Sequence, residues 1–391
     1  IRPRDWSSDV GSSDLGTGGG FGWTAPSGPG QYNSPSTFEI AETLSIVRGA
    51  HQFGFGADWL NRHQTASSSS SLGPIASFNG QFTGTGLSDM MLGRMSSFAQ
   101  APFLTHDTRH NGFGFYAQDT WKKSNRLTLN MGVRWDPFLS PYSVVGQYTN
   151  VDANAFYQGK KSIMYDNAPP GAFYPGDPGY DSAYHKSTIA QFGPRVGFAW
   201  DVKGDGRMTV RSAYGVAFDM PHLYEYTAAN STPPYASRIT LTDQRNWDDP
   251  WAGYPGGNPF PLKPSKTVFY PNTAYYTSYD REFRPPYVQQ WNLSIKRQFG
   301  TDWMIAANYL GSATVHVPIG SEVNYAVYVP GNCVAGQYGL TAAGPCSSTT
   351  NTEARRIFTL TNPKEGPKYG TVVSVNSNGT QHYNGLNVSI Q

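Results

Sequence analysis

The chain has 391 residues, a formal net charge of +2 and a mean hydropathy of −0.48. That balance gives no reason to expect a nucleic-acid partner, and no run of about 18 apolar residues exists to form a transmembrane helix. The length suits a large barrel or two to three ordinary domains, and a β-barrel hides its apolar half in alternation, where a hydropathy scan does not find it.

Residues 1–20 read as a non-native or disordered leader, and residues 21–391 as the folded part. Ile1 to Leu15 has neither a strand nor a helix period and resembles translated adapter sequence. Gly16-Thr17-Gly18-Gly19-Gly20 lacks the Lys of a phosphate-binding loop and reads as leader. From Phe38 to Val47, the residues Phe38, Ile40, Leu44 and Ile46 share one face of a strand, and after a turn at Arg48-Gly49-Ala50 the residues Phe53, Phe55, Ala57 and Trp59 share one face of the next. A longer link, about Arg62 to Arg109, contains a serine run at Ser67–Ser71 and a possible helical turn at Leu87–Gly93.

The clearest hairpin runs from His110 to Pro137. Phe113, Phe115, Ala117 and Trp121 alternate with Gly112, Gly114, Gln118 and Thr120, while Tyr116 and Asp119 blur the pattern. Beyond Lys122–Asn125, Leu127, Leu129, Met131, Val133 and Trp135 alternate with Thr128, Asn130, Gly132, Arg134 and Asp136. Each strand has one oily and one wet side and is long enough, tilted, to cross a bilayer. After a link from Phe138 to Phe192, a third hairpin joins Pro194–Val202 to Met208–Phe218. A link from Pro221 to Pro286 precedes a fourth, Tyr287–Phe299 with Trp303–Tyr309. The last link, about Gly311 to Gln381, holds both cysteines and a short strand at Tyr369–Val375, before a final strand through Leu386, Val388 and Ile390.

Connections alternate short and long. In a meander this puts every short turn at one rim and every long loop at the other, the arrangement of outer-membrane barrels. The expected fold is therefore all-β: a partial antiparallel transmembrane β-barrel of about 9–12 strands, with short periplasmic turns and long outer loops. Glycines on the wet face, such as Gly112, Gly114, Gly132 and Gly215, imply either close approach by something inside the barrel or strong twist.

The hairpins resemble the barrel domain of Oar-like TonB-dependent outer-membrane transporters. The resemblance rests on Tyr116-Ala117-Gln118-Asp119-Thr120-Trp121 with Leu127–Arg134, on Pro194–Ala199 and on Arg211–Val216. Tyr287–Ser294, Asn308–Ser312 and Tyr383–Leu386 extend it, so that it covers about Phe38 to Gln391. It implies a Gram-negative outer-membrane location and a parent barrel of about 22 strands. It also implies an N-terminal plug and often an Ig-like regulatory domain, none of which is visible in this sequence, so the chain reads as a fragment. The partners implied are outer-membrane lipid, a small or oligomeric ligand, and the inner-membrane TonB complex, reached through an N-terminal part of the parent. Two other readings stand beside it: a passive barrel or adhesin-like surface protein, and a soluble secreted carbohydrate-binding β-protein.

No enzyme, cofactor or metal site is expected. Asp201-Val202-Lys203-Gly204-Asp205-Gly206 has a Lys at the third position of a calcium loop, and Ser212 stands where the closing Glu would be. Asp248 and Asp249 are adjacent on one loop and poorly placed to straddle a glycosidic bond. Cys333 and Cys346 are a disulfide candidate, worth roughly 3 kcal/mol in the chain-entropy view, with two free thiols as the alternative. The aromatic loops make Tyr174, Tyr180, Trp247, Trp251 and Tyr254 ligand-contact candidates, through stacking and hydrogen bonding. The competing account is that these loops pack on one another over the barrel mouth.

Overall fold

The structure is a computed structural model that describes residues 21–24, 33–68, 74–102, 104–236, 239–242, 245–254, 256–260 and 264–391. Residues 1–20, expected to be a leader and including Gly16–Gly20, lie outside the described residues, as does most of the serine run after Ser68. Nine strands form the wall: β1 Asn33–Arg48, β2 His51–Ser68, β3 Leu104–Lys122, β4 Leu127–Trp135, β5 Phe192–Asp201, β6 Met208–Phe218, β7 Tyr287–Phe299, β8 Trp303–Glu322 and β9 Tyr369–Ile390. Each pairs antiparallel with the next in an open, eleven-stranded sheet, completed by Ala274–Tyr279, parallel to β9, and Tyr142–Ser143, beside β3. Turns 49–50, 123–126, 202–207 and 300–302 lie at one rim, and the segments 69–103, 136–191, 219–286 and 323–368 at the other.

Several strands run further than side-chain alternation shows. β2 and β3 stay paired up to Ser68–Leu104, and β8 and β9 are 20 and 22 residues long. The links expected over Arg62–Arg109 and Gly311–Gln381 are correspondingly shorter, and Tyr369–Val375 is the start of β9 itself. Above the apolar band both faces are polar, as at His63 opposite Arg109 and Gln64 opposite Thr108, so pairing continues where the hydrophobic period has ended. A bulge between Val315 and Val317 puts His316 at φ 64° and bends β8 there.

The oily faces of the strands align. Across β4 and β5, Trp135 pairs with Phe192, Met131 with Val196, Leu129 with Phe198 and Leu127 with Trp200. No protein layer covers this side among the described residues: Met131 is 43% exposed and Val133 45%. A soluble sandwich would enclose these residues, and their exposure removes the physical basis of the soluble reading. Aromatic rings flank the aliphatic band at both rims. Trp121, Trp200, Phe299 and Trp303 stand by the short turns. By the long loops, Trp135 stacks on Phe115 (5.6 Å) and on Phe192 (6.1 Å), and Phe218 lies 5.7 Å from Tyr287. Amphipathic rings of this kind sit at membrane–water boundaries. Asp119, which blurred the alternation, does point outward. It lies near the short-turn rim, where its carboxylate meets His51 Nδ1 at 2.7 Å, and His51 stacks between Phe53 and Trp121.

Tyr116 points inward, and the wet-face glycines have a local explanation. Its ring lies across Gly56 on β2, where an added Cβ would come within 2.1 Å of the ring, and its hydroxyl is 3.0 Å from Thr43 Oγ1. Arg134 lies across Gly114 in the same way. What approaches Gly56 and Gly114 is thus a long side chain of the neighbouring strand, whereas Gly112 meets His110 of its own strand and Met220. Aromatic cover of a strand glycine, as by Tyr116 on Gly56, pins register. Gly56→Ala should destabilise the wall by about 1–3 kcal/mol through overpacking. Adding Tyr116→Ala should recover part of the loss in urea unfolding from lipid vesicles; a plain sum of the two single losses would show that the ring does not depend on the glycine.

The turn at 202–207 is built by Asp201. Its carboxylate accepts from the backbone N–H of Gly204 and of Gly206, both 2.9 Å away, while the two glycines take φ of +80° and +72°. The residues that resembled a calcium loop are the anchor of a hairpin turn.

Candidate ligand-capture surface and lumen

Short turns leave no room for side-chain clusters, so the chemistry of this chain gathers in the long loops and on the inner wall. The loops are not loose. Segments 136–191, 219–286 and 323–368 share a core of Phe156, Tyr174, Tyr270, Tyr276, Phe358 and Tyr369. Tyr148, Tyr184, Tyr226, Tyr279 and Phe283 form a second core. Segments 69–103 and 219–286 meet in a third, with Phe78, Met95, Phe98, Ile239 and Trp251, over a small sheet in which strand 75–78 pairs with both 21–24 and 97–100, and 97–100 with 239–241. Aromatic burial on this scale is stabilising enough to hold the loops in one arrangement. The result is a folded cap on one rim. The structure joins Cys333 and Cys346 in a disulfide, their Cα atoms 4.9 Å apart, which closes the tip of segment 323–368. Beneath that tip Arg355 donates to Asn351 Oδ1 at 3.0 Å and to the Ser348 carbonyl at 2.8 Å.

The five aromatic candidates fall in two places and are not brought together in one pocket. Tyr174 is 0% exposed in the first core, and Trp251 is 6% exposed with Phe98 edge-on at 5.5 Å. Both rings serve cap packing in this structure. Tyr180 is half-buried, stacked on Phe173 at 4.7 Å with the Arg281 guanidinium 5.3 Å from its ring centre. Tyr254 is half-buried against Trp251. Trp247 is 47% exposed and walls a hollow of about 300 Å3 with Met90, Met91 and Leu92. Sequence reasoning passed over this methionine pair because it reads as one turn of an ordinary helix; only the fold sets it beside Trp247. Asp249 Oδ1 accepts from the Trp251 N–H at 3.1 Å, so this carboxylate shapes its own turn.

A buried histidine sits at the base of the cap. His185 Nδ1–H donates to the Lys186 carbonyl (3.1 Å), so Nε2 accepts from the Tyr226 hydroxyl (2.9 Å). Phe138 and Phe283 pack on its ring. Burial pushes its pKa down to about 4, Arg281 adding to the effect and the Lys186 carbonyl opposing it. The unfolded chain therefore binds a proton between about pH 6.5 and pH 4 that the folded cap refuses, and cap stability should fall as pH drops through that window. Limited proteolysis of segment 136–191 checks this: cleavage should accelerate toward pH 4 in the wild type and less in His185→Gln.

The inner wall is polar and in part neutralised. Arg134 reaches over Gly114 to Asp58 Oδ1 at 2.7 Å and to Asp136 Oδ1 at 2.6 Å. With Gln118, Asn130, Arg195, Arg211, Gln290 and Asn292 it lines a trough of about 980 Å3 along the concave side. Among the described residues no cluster of His, Cys, Asp and Glu could hold a metal ion.

An amphipathic meander with aromatic rims, a wet inner face and a folded cap at one rim is the wall of an outer-membrane β-barrel. The chain belongs to the outer membrane beta barrel domain family, whose model matches residues 7–391, and its place is the outer membrane. No curated protein matches the sequence. Similar solved structures include the outer membrane transporter YddB from Escherichia coli (10% identity over 92% of this chain and 30% of that one, TM-score 0.42). The copper transporter OprC (10%, 92% and 36%, TM-score 0.41) and the ferric-catecholate import receptor Fiu from E. coli K12 (12%, 92% and 35%, TM-score 0.35) are also similar. The chain spans about a third of the length of each of these.

Proposed function

We propose that this chain is the wall and outer cap of a TonB-dependent uptake barrel of the Oar-like kind. The carrying observation is the segregation itself: every long loop lies at one rim, and these loops are interlocked into a folded cap above a polar wall. Loops this long in a compact domain are usually functional. The aromatic surface of the cap, with exposed Trp247 and half-buried Tyr180 and Tyr254, is where a ligand first docks. It then passes along the inner face, driven through an N-terminal part of the parent that reaches the inner-membrane TonB complex. The folded part begins near residue 21. A passive barrel or adhesin would use the same cap without energy.

Solute depletion from the medium separates these readings. Cells carrying the parent gene should deplete at least one solute that deletion cells leave untouched, and an uncoupler of the proton gradient should stop it. Depletion that survives the uncoupler identifies a passive barrel, and none at all an adhesin.

A further inference from the structure

We propose that Arg195 and Arg211 form a two-arginine clamp on the inner wall for a single oxyanion, a phosphate or carboxylate group. The strand register sets Asn130 of β4, Gly197 of β5, Ala213 of β6 and Asn292 of β7 side by side in one row. All four belong to the wet face. Arg195 stands two residues before Gly197, opposite Gly215; Arg211 stands two residues before Ala213, opposite Ala199. Because β5 and β6 run antiparallel, the two arginines approach the row from opposite sides. Four residue steps at strand rise separate them by about 13 Å, a gap two extended arginines bridge with one anion between their guanidinium groups. Gly197 and Ala213 leave the floor clear, and Asn130 and Asn292 close the sides.

The charge pattern points to an anion. Arg134, on the neighbouring strand, is matched by Asp58 and Asp136. Arg195 and Arg211 are exposed on the trough, and among the described residues neither guanidinium has an ion-pair or hydrogen-bond partner. The Thr120 hydroxyl donates to Asn130 Oδ1 at 2.9 Å, which leaves the Asn130 amide hydrogens to donate elsewhere. The site offers two planar guanidinium forks and carboxamide donors, and forks of this shape match phosphate and carboxylate oxygens. Among the described residues no carboxylate is ion-paired with either fork, Asp136 being held by Arg134 and acting on Arg195 only at longer range. The inference rests on the reading of this face as the water-filled lumen and on no step of energy coupling.

The test is calorimetric titration of the 391-residue chain, folded in detergent micelles at low ionic strength, with inorganic phosphate in one arm and acetate in the other. At least one anion should bind saturably, and the stronger arm names the oxyanion. Arg195→Gln with Arg211→Gln should weaken binding about tenfold or more, each single change less. Asn292→Leu should weaken it by a smaller factor. Arg297→Gln, on the outward face, should change nothing, and heat-modifiable gel migration should show every variant folded. Should the double variant misfold, the single variants carry the comparison. Unchanged binding in the folded arginine variants, or no saturable binding of either anion, overturns the site. Phosphate binding without energy-dependent uptake would instead keep the site and remove the transport reading.

Discussion

Arginine in place of Val196 should destabilise the folded wall by about 2–4 kcal/mol in lipid vesicles, the cost of a cation near the bilayer midplane on a lipid-facing position. Val196 is central in β5, 50% exposed on the outward face, with Met131 and Tyr214 across the strands. It is a better probe than Met131, because Asp119 stands directly opposite Met131 and would receive a cation placed there. The paired control is Gln290→Arg. Gln290 faces inward between Gly215 and Ser312, where there is room and water, and the change should cost under about 1 kcal/mol. Reversible urea unfolding from vesicles measures both. Losses of equal size would mean that hydrocarbon does not wet the outward face, and the membrane assignment would fall.

Phe358→Ala should cost the cap about 3–5 kcal/mol while sparing the wall, as removal of a fully buried aromatic ring does elsewhere. Phe358 is 0% exposed. It stacks on Phe156 at 4.1 Å and meets Tyr369 edge-on at 5.3 Å, so one ring joins segment 323–368 to segment 136–191 and to the outer end of β9. Its backbone N–H donates to Asn324 Oδ1 at 2.9 Å, and that bond remains in the variant. Protease should cut both segments faster, whereas heat-modifiable migration of the wall should persist. Cleavage at the wild-type rate would mean that the loops are held in place by something other than their shared core.

Most of the wall was legible before any coordinates. A strand that separates oil from water must alternate, and Leu127 to Trp135 or Val196 to Trp200 alternate cleanly. The resemblance carried by Tyr116–Trp121 and Tyr287–Ser294 pointed to the same outer-membrane barrel as the family match. The outer ends of β2, β3, β8 and β9 were not legible, because strands that leave the membrane stay hydrogen-bonded after both faces have become polar.

The cap and the inner wall were decided in three dimensions. Tyr174 and Trp251 had the composition of contact residues, but burial depends on what three distant segments do together, and no local period records it. Likewise, the sequence puts Arg195 and Arg211 on the wet face and says nothing of what they face. Register does: among the described residues strand pairing determines that Arg134 forms ion pairs with two carboxylates while Arg195 and Arg211 form none, and that Tyr116 lands on Gly56, one of the two residues of β2 with no side chain to obstruct it. Side-chain alternation is a property of each strand and is written along the chain; pairing partners lie on different strands and exist only once the sheet has formed.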